Sequence, residues 1–236
     1  MPLVQSQGWE PIWANLDALL ECWRTPEPSV LAWAESLQGA GGRQALDLGC
    51  GIGRHTIPLA RLGFAVAATD ISLSGVKTCA AWLARDGLNA TLACHEMGTL
   101  PFPNHTFDGL VAYNVVYHAT LGGMRRILAE VCRVLRPGGR LYTTIIARED
   151  SKVATCQADV QAGKCHEIEP FTFVYSRFDD ALDDKHLPHH YCGEAELRGL
   201  LADFIVDDLY LDRRERVAGD GSVQFSVHYH VQARRR

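Results

Sequence analysis

Between positions 47 and 70 the chain gathers residue types suited to holding a polar ligand. Two acids, Asp47 and Asp70, flank the glycines Gly49, Gly51 and Gly53 and the cation Arg54. The alternating glycines leave little side chain to block a ligand's approach to the backbone. A short apolar run precedes them. Ile57, Leu59, Ala60 and Leu62 then suit a helix over 54–62, with Pro58 tolerated near its start and Gly63 able to end it. A second apolar run, 64–69, closes on Asp70. Strand, glycine turn, helix, strand and acid together read as a βαβ nucleotide-binding unit. The dinucleotide fingerprint G-x-G-x-x-G needs a third glycine where Arg54 stands, which argues against an NAD-type dehydrogenase.

The run Asp47-Leu48-Gly49-Cys50-Gly51-Ile52-Gly53 resembles the first motif of class I S-adenosylmethionine-dependent methyltransferases, acid-x-Gly-x-Gly-x-Gly. The stretch 128–139, ending Leu135-Arg136-Pro137-Gly138-Gly139, resembles a second signature of that family. Within the family the chain looks most like small-molecule enzymes of the tellurite-resistance and quinone-biosynthesis kind. The resemblance implies S-adenosyl-L-methionine as cofactor. The residues it implies for binding are Asp47, Gly49, Cys50, Gly51, Arg54, Asp70, Ile71, Glu96, Met97 and Asn114. Asp70 would accept hydrogen bonds from the ribose hydroxyls, and Arg54 would pair with the methionyl carboxylate. Glu96 would meet the adenine amino group with Met97 beside the ring, and Asn114 would meet the methionine end. The implied reaction is in-line displacement of the sulfonium methyl by a small-molecule acceptor, releasing S-adenosylhomocysteine. Alignment and exclusion of water matter most for it.

The acceptor side follows from topology. In a doubly wound sheet the ligand sits beyond the carboxyl ends of the strands, at the switch in strand order. The strand ending at Asn114 flanks that switch, so Tyr117 and His118 fall beside the site. His118 is the candidate base, because an unperturbed imidazole titrates near neutrality. Trp13 belongs to a tryptophan-rich start (Trp9, Trp13, Trp23, Trp33) that reads as two helices over 9–38 and a lid. Residues 148–192 lack regular periodicity and are rich in Cys and His. They read as a substrate-side insertion presenting His189, His190 and Tyr191. The spacing of its cysteines gives no C-x-x-C, so no metal is expected. Two other readings stay open. One is a metalloid methyltransferase with Cys156, Cys165 or Cys192 as soft ligands. The other is a cofactor-binding protein without turnover.

These residues need a framework. The chain of 236 residues, 47% hydrophobic, suits one α/β domain. The expected fold is a seven-stranded, mainly parallel, doubly wound sheet with its last strand antiparallel. The expected division is a helical lid over 1–40, a cofactor-binding core over 41–147, the insertion over 148–192, and a C-terminal helix and hairpin over 193–236. A net charge of −5 and the lack of a basic, aromatic-interleaved patch argue against nucleic acid. Residues 234–236, all arginine, read as a solvated tail. No apolar run reaches membrane-spanning length and the first ten residues lack a signal-peptide pattern. The eight scattered cysteines read as free thiols. The expectation is a cytoplasmic monomer or homodimer.

Overall fold

The computed structural model describes residues 6–15, 21–175, 186–217, 221 and 223–236. Five parallel strands form one side of the main sheet: β1 (Gln44–Leu48), β2 (Ala65–Asp70), β3 (Thr91–Cys94), β4 (Phe107–Ala112) and β5 (Leu135–Ile146). Two long strands complete it, β9 (Phe204–Val217) and β10 (Val223–Arg235), after three short strands that lie elsewhere. The order is β3-β2-β1-β4-β5-β10-β9, with β10 antiparallel to both neighbours. This is the expected seven-stranded, doubly wound sheet. The order reverses between β1 and β4, where a ligand crevice is expected.

Strand alternation explains the two layers. Ala45, Val111 and Tyr142 face α2 (Pro28–Gly39), which buries Val30, Trp33 and Leu37 against them. Their neighbours Leu46, Leu110 and Leu141 face the other way and meet α5 (Leu121–Val134) through Met124, Ile127, Leu128 and Val131. The remaining helices of the unit are α3 (Thr56–Arg61) and α4 (Leu73–Arg85). Ser72 caps α4 by accepting from the Gly75 N–H, as its position before an apolar run predicts.

Three expectations change. The first helix, α1, runs only Ser6–Ala14, and a short 3-10 turn follows at Glu21–Trp23; Leu16, Leu19 and Leu20, expected to continue the helix, lie outside the described residues. The insertion has regular structure. It contains α6 (Ser151–Gln161) and a small antiparallel sheet of β6 (Cys165–Glu169), β7 (Thr172–Tyr175) and β8 (His189–His190). The terminal arginines are no loose tail. Arg234 pairs with Asp207, Arg235 donates to the Leu135 carbonyl, and Arg236 donates to the Ala202 carbonyl. After β8, α7 (Glu194–Leu200) leads into β9. Among the described residues no helix is long and apolar enough to cross a membrane.

Asp108 fastens the start of β1. Its Oδ2 accepts from the Arg43 and Gln44 N–H groups, both at 2.9 Å, while Oδ1 pairs with Arg136. Partial burial alone would raise its carboxyl, but these donors outweigh it and hold it below its ordinary value. Asp108→Ala is expected to cost about 1.5–3 kcal/mol at pH 7, the range for hydrogen bonds to a charged acceptor. A group whose folded pKa is depressed stabilises above its unfolded value and loses that contribution as pH falls through the folded one. The gap between wild type and variant in urea unfolding should therefore narrow as pH is lowered below 4.

Candidate active site

A cavity of about 280 Å³ lies at the carboxyl ends of β1, β2 and β4, where the strand order reverses. One wall is the glycine turn. Gly49, Gly51 and Gly53 have φ of +70°, +51° and +95°, the left-handed region that a side chain disfavours. A Cβ at Gly51 would also come within 2.7 Å of the Trp13 ring. The turn is held from β2: Asp70 Oδ2 accepts from the Gly51 N–H at 2.7 Å and Oδ1 from the Ser72 N–H at 2.8 Å. Burial pushes the Asp70 carboxyl up to about 6, against the opposing effect of N–H donors from Ser72, Gly51 and Ile71. Arg54 stands across the cavity with its guanidinium 4.7 Å over the Tyr113 ring.

The far wall comes from the loop after β4. Asn114 adopts φ +56°, a conformation asparagine tolerates. Thr144 locks it, accepting from the Asn114 N–H at 2.8 Å and donating to Oδ1 at 2.7 Å. The Asn114 carbonyl accepts from His118 Nε2 at 3.1 Å. Because a carbonyl only accepts, Nε2 carries the proton, and the lone pair of a neutral His118 ring lies on Nδ1. Rings surround it. Trp9 lies edge-on at 4.7 Å between centroids, His189 at 4.5 Å and Tyr117 at 4.5 Å. His228, on β10, approaches Tyr117 with Nε2 3.4 Å from the phenol oxygen. Burial pushes His228 down to about 4, so its ring is neutral at pH 7.

α1 covers this cavity. Glu10 fixes it, accepting from the hydroxyls of Ser72 (2.7 Å) and Ser74 (2.5 Å) at the start of α4. Trp9 and Trp13 then point inward, with Trp13 against Trp23 at 5.4 Å.

Of the residues singled out from sequence, the cavity is lined by Trp13, Gly49, Cys50, Arg54, Asp70, Ile71, Glu96, Met97, Asn114, Tyr117, His118 and His189. Four are not brought to it. Asp47 lies beneath the turn and accepts from the Thr56 hydroxyl at 2.6 Å. Gly51 turns its Cα toward Trp13. His190 is buried between Thr172 and Glu196, at 2.6 and 3.0 Å. Tyr191 is buried against Phe173. Cys156, Cys165 and Cys192 are buried in the main core and line no part of the cavity, so the thiol set of the metalloid reading does not face it. His190, Cys192 and Glu196 place potential ligand atoms within 4.8 Å of one another, but the Glu196 carboxylate already pairs with Arg148 at 2.9 Å.

Sequence reasoning missed Tyr113, Asp150, Lys152 and His228 as lining residues. A signal existed for Asp150 and Lys152. They follow the carboxyl end of β5 as Asn114 follows that of β4, on the same edge of the sheet. His228 had none beyond its strand, because the pairing of β10 with β5 decides which of its residues reach that edge.

Burial also pushes the Asp47 carboxyl up to about 6, against the Thr56 hydroxyl and Arg54. The unfolded value is about 3.9, so the native state holds the extra proton between about pH 4 and 6, and ionisation above 6 destabilises it. Asp47→Asn keeps an acceptor for Thr56 and removes the charge. It is expected to stabilise the protein by about 1–3 kcal/mol at pH 8. Urea unfolding should show the advantage shrinking as pH falls to 5.

Comparison with known proteins gives one consistent pattern. Residues 45–139 match the family described as a methyltransferase domain. The chain is 32% identical over 103 residues to a ubiquinone biosynthesis O-methyltransferase of Parvibaculum lavamentivorans, covering 44% of this chain and 40% of that protein. It is 35% identical over 130 residues to a phthiotriol/phenolphthiotriol dimycocerosates methyltransferase of Mycobacterium tuberculosis, covering 54% and 46%. The match thus spans less than half the length of either curated relative. In fold it is similar to a crystal structure of a SAM-dependent methyltransferase from Methanosarcina mazei, with TM-score 0.62, 23% identity, and coverage of 81% of this chain and 92% of that one. It is also similar to magnesium protoporphyrin IX methyltransferase of Synechocystis crystallised with SAM, with TM-score 0.58, 16% identity, and coverage of 88% and 78%.

Proposed function

We propose that this chain, which belongs to the class I S-adenosylmethionine-dependent methyltransferase family, transfers a methyl group to a small-molecule acceptor. The observation that carries the reading is the convergence of Asp70, Glu96 and Arg54 on one cavity beside a left-handed glycine turn. These residues fit S-adenosylmethionine. The Asp70 oxygens accept backbone N–H groups from Gly51 and Ser72 and retain acceptor capacity for a ribose hydroxyl. Arg54 suits the methionyl carboxylate, while Ile71 and Met97 offer apolar surface to the adenine. The bound cofactor would supply a methyl group already activated by its sulfonium.

The chain's own part is positioning, exclusion of water and proton handling. Asp70 and Arg54 fix opposite ends of the ligand. Trp9 and Trp13 on α1 close the mouth and keep water out. His118, held by the Asn114 carbonyl, takes the acceptor's proton on Nδ1. In this reading residues 1–40 act as lid, 41–147 as cofactor core, 148–192 as acceptor wall and 193–236 as completion of one unit. The placement of α1, α6 and His189 around the cavity supports that division.

Titration calorimetry with S-adenosylhomocysteine and with NAD tests the reading; binding of NAD alone would overturn it. Asp70→Ala should weaken S-adenosylhomocysteine tenfold or more, since one hydrogen bond to a charged acceptor is worth about 1.5–3 kcal/mol. In the wild type, affinity should rise as pH rises through about 6, because the hydroxyls need the ionised carboxylate. Unchanged affinity in the variant would remove Asp70 from the site. On any acceptor bearing an O–H, S–H or N–H, His118→Ala should lower turnover by about 10²-fold or more with cofactor affinity preserved. Equal initial rates for variant and wild type would leave the proton to another group.

A further inference from the structure

Resting on the reading of this cavity as a methyl-transfer site, its unassigned end has a charge pattern of its own. The cofactor end holds one cation, Arg54, and two acids, Asp70 and Glu96. The other end is lined by flat rings, among them Trp9, Tyr117, His118 and His228. Among the described residues the one side-chain cation lining that end is Lys152, in the first turn of α6. Its ammonium has no hydrogen bond or ion pair with any described residue. The neighbouring acid, Asp150, lines the same end but makes no direct ion pair with it. Asp150 Oδ1 accepts from the Lys152 backbone N–H at 2.8 Å and Oδ2 from the Val227 N–H at 2.9 Å. Each oxygen is thereby drawn onto a backbone N–H that fastens α6 onto β10 rather than onto the ammonium. The charge of Lys152 is nevertheless felt in the cavity: with burial and His230, it is among the influences that hold the His228 ring neutral. Ser226 lines the same end and brings its hydroxyl to 3.5 Å from His228 Nδ1.

We infer that the methyl acceptor is a planar ring compound carrying a carboxylate, with the carboxylate held by Lys152 and the ring held among Trp9, Tyr117 and His118. A half-buried ammonium with no ion pair among the described residues favours an anionic ligand, because attraction strengthens where water is displaced. One ammonium balances one negative charge, which fits a carboxylate better than a doubly charged phosphate. Trp9 and Tyr117 give the ligand's plane faces and edges to pack on without adding charge.

The probes are benzoate and its uncharged near-isostere benzamide, titrated calorimetrically into protein saturated with S-adenosylhomocysteine. Benzoate should bind at least tenfold more tightly than benzamide. Lys152→Gln should remove that preference while leaving the affinity for S-adenosylhomocysteine and the melting temperature unchanged. Equal binding of the two probes to the wild type, no detectable benzoate binding, or an undiminished preference in Lys152→Gln would each overturn the inference. Failure of S-adenosylhomocysteine to bind would instead count against the proposed function. The same benzoate and benzamide titrations on ligand-free protein would then still decide the role of Lys152.

Discussion

A buried carboxylate at the end of one strand holds the site together. Asp70 is 7% exposed, and taking its charge out of water is costly. The fold offsets that cost with backbone N–H groups from two different segments, Gly51 in the glycine turn and Ser72 before α4. A single side chain therefore sets where the turn sits relative to the helix that follows β2. The dependence continues outward. Ser72, so placed, caps α4 through Gly75 and donates its hydroxyl to Glu10. Glu10 in turn fixes the helix bearing Trp9 and Trp13. A continuous series of hydrogen bonds runs from the strand end to the lid, and the ring enclosure around His118 depends on its last link.

Asp47 and Asp70 show how far a motif reading reaches. Both are acids flanking the same glycines, both are buried, and both carboxyls are pushed up to about 6. Only their directions differ. Asp47 points under the turn and accepts from Thr56, nine residues on, bracing the turn against the start of α3. Asp70 lines the cavity. Residue type and spacing contain both acids but not which side of the turn each faces, because the twist of β1 and β2 decides that. Gly51 poses the same problem. Its positive φ is legible in the alternation of glycines, whereas its proximity to Trp13 depends on a helix that docks from forty residues away in sequence.

The main sheet was legible because its strands are buried on both faces or alternate cleanly, and because helices with a clear apolar stripe separate them. The insertion was not. β6 shows one buried residue in five, and β8 is two residues long, so neither carries a periodic signal. At His189–His190 the side chains leave a strand on opposite faces. One ring reaches the cavity, and its neighbour is absorbed by Thr172 and Glu196. Asp150 and Lys152 lie in the stretch without regular periodicity, and only the edge of the sheet gives them a direction. The cap itself was foreseeable, since an acid before a helix commonly accepts a backbone N–H. Its second bond, to Val227, spans 77 residues and belongs to tertiary structure alone.

The division of the cavity also bears on how His118 can work. A base is useful only if its lone pair is free of the proton, and the Asn114 carbonyl settles the tautomer by accepting a hydrogen bond from Nε2–H. That carbonyl is itself fixed by the left-handed backbone at Asn114, which Thr144 of β5 holds from both the N–H and the side chain. The orientation of the imidazole thus rests on the sheet through two hydrogen-bonded steps, Thr144 to Asn114 and Asn114 to His118. A neutral His228 nearby adds ring surface without competing charge. Two histidines thus reach one cavity, His118 from a loop and His228 from an antiparallel strand, and under the proposed function only the first is asked to handle a proton.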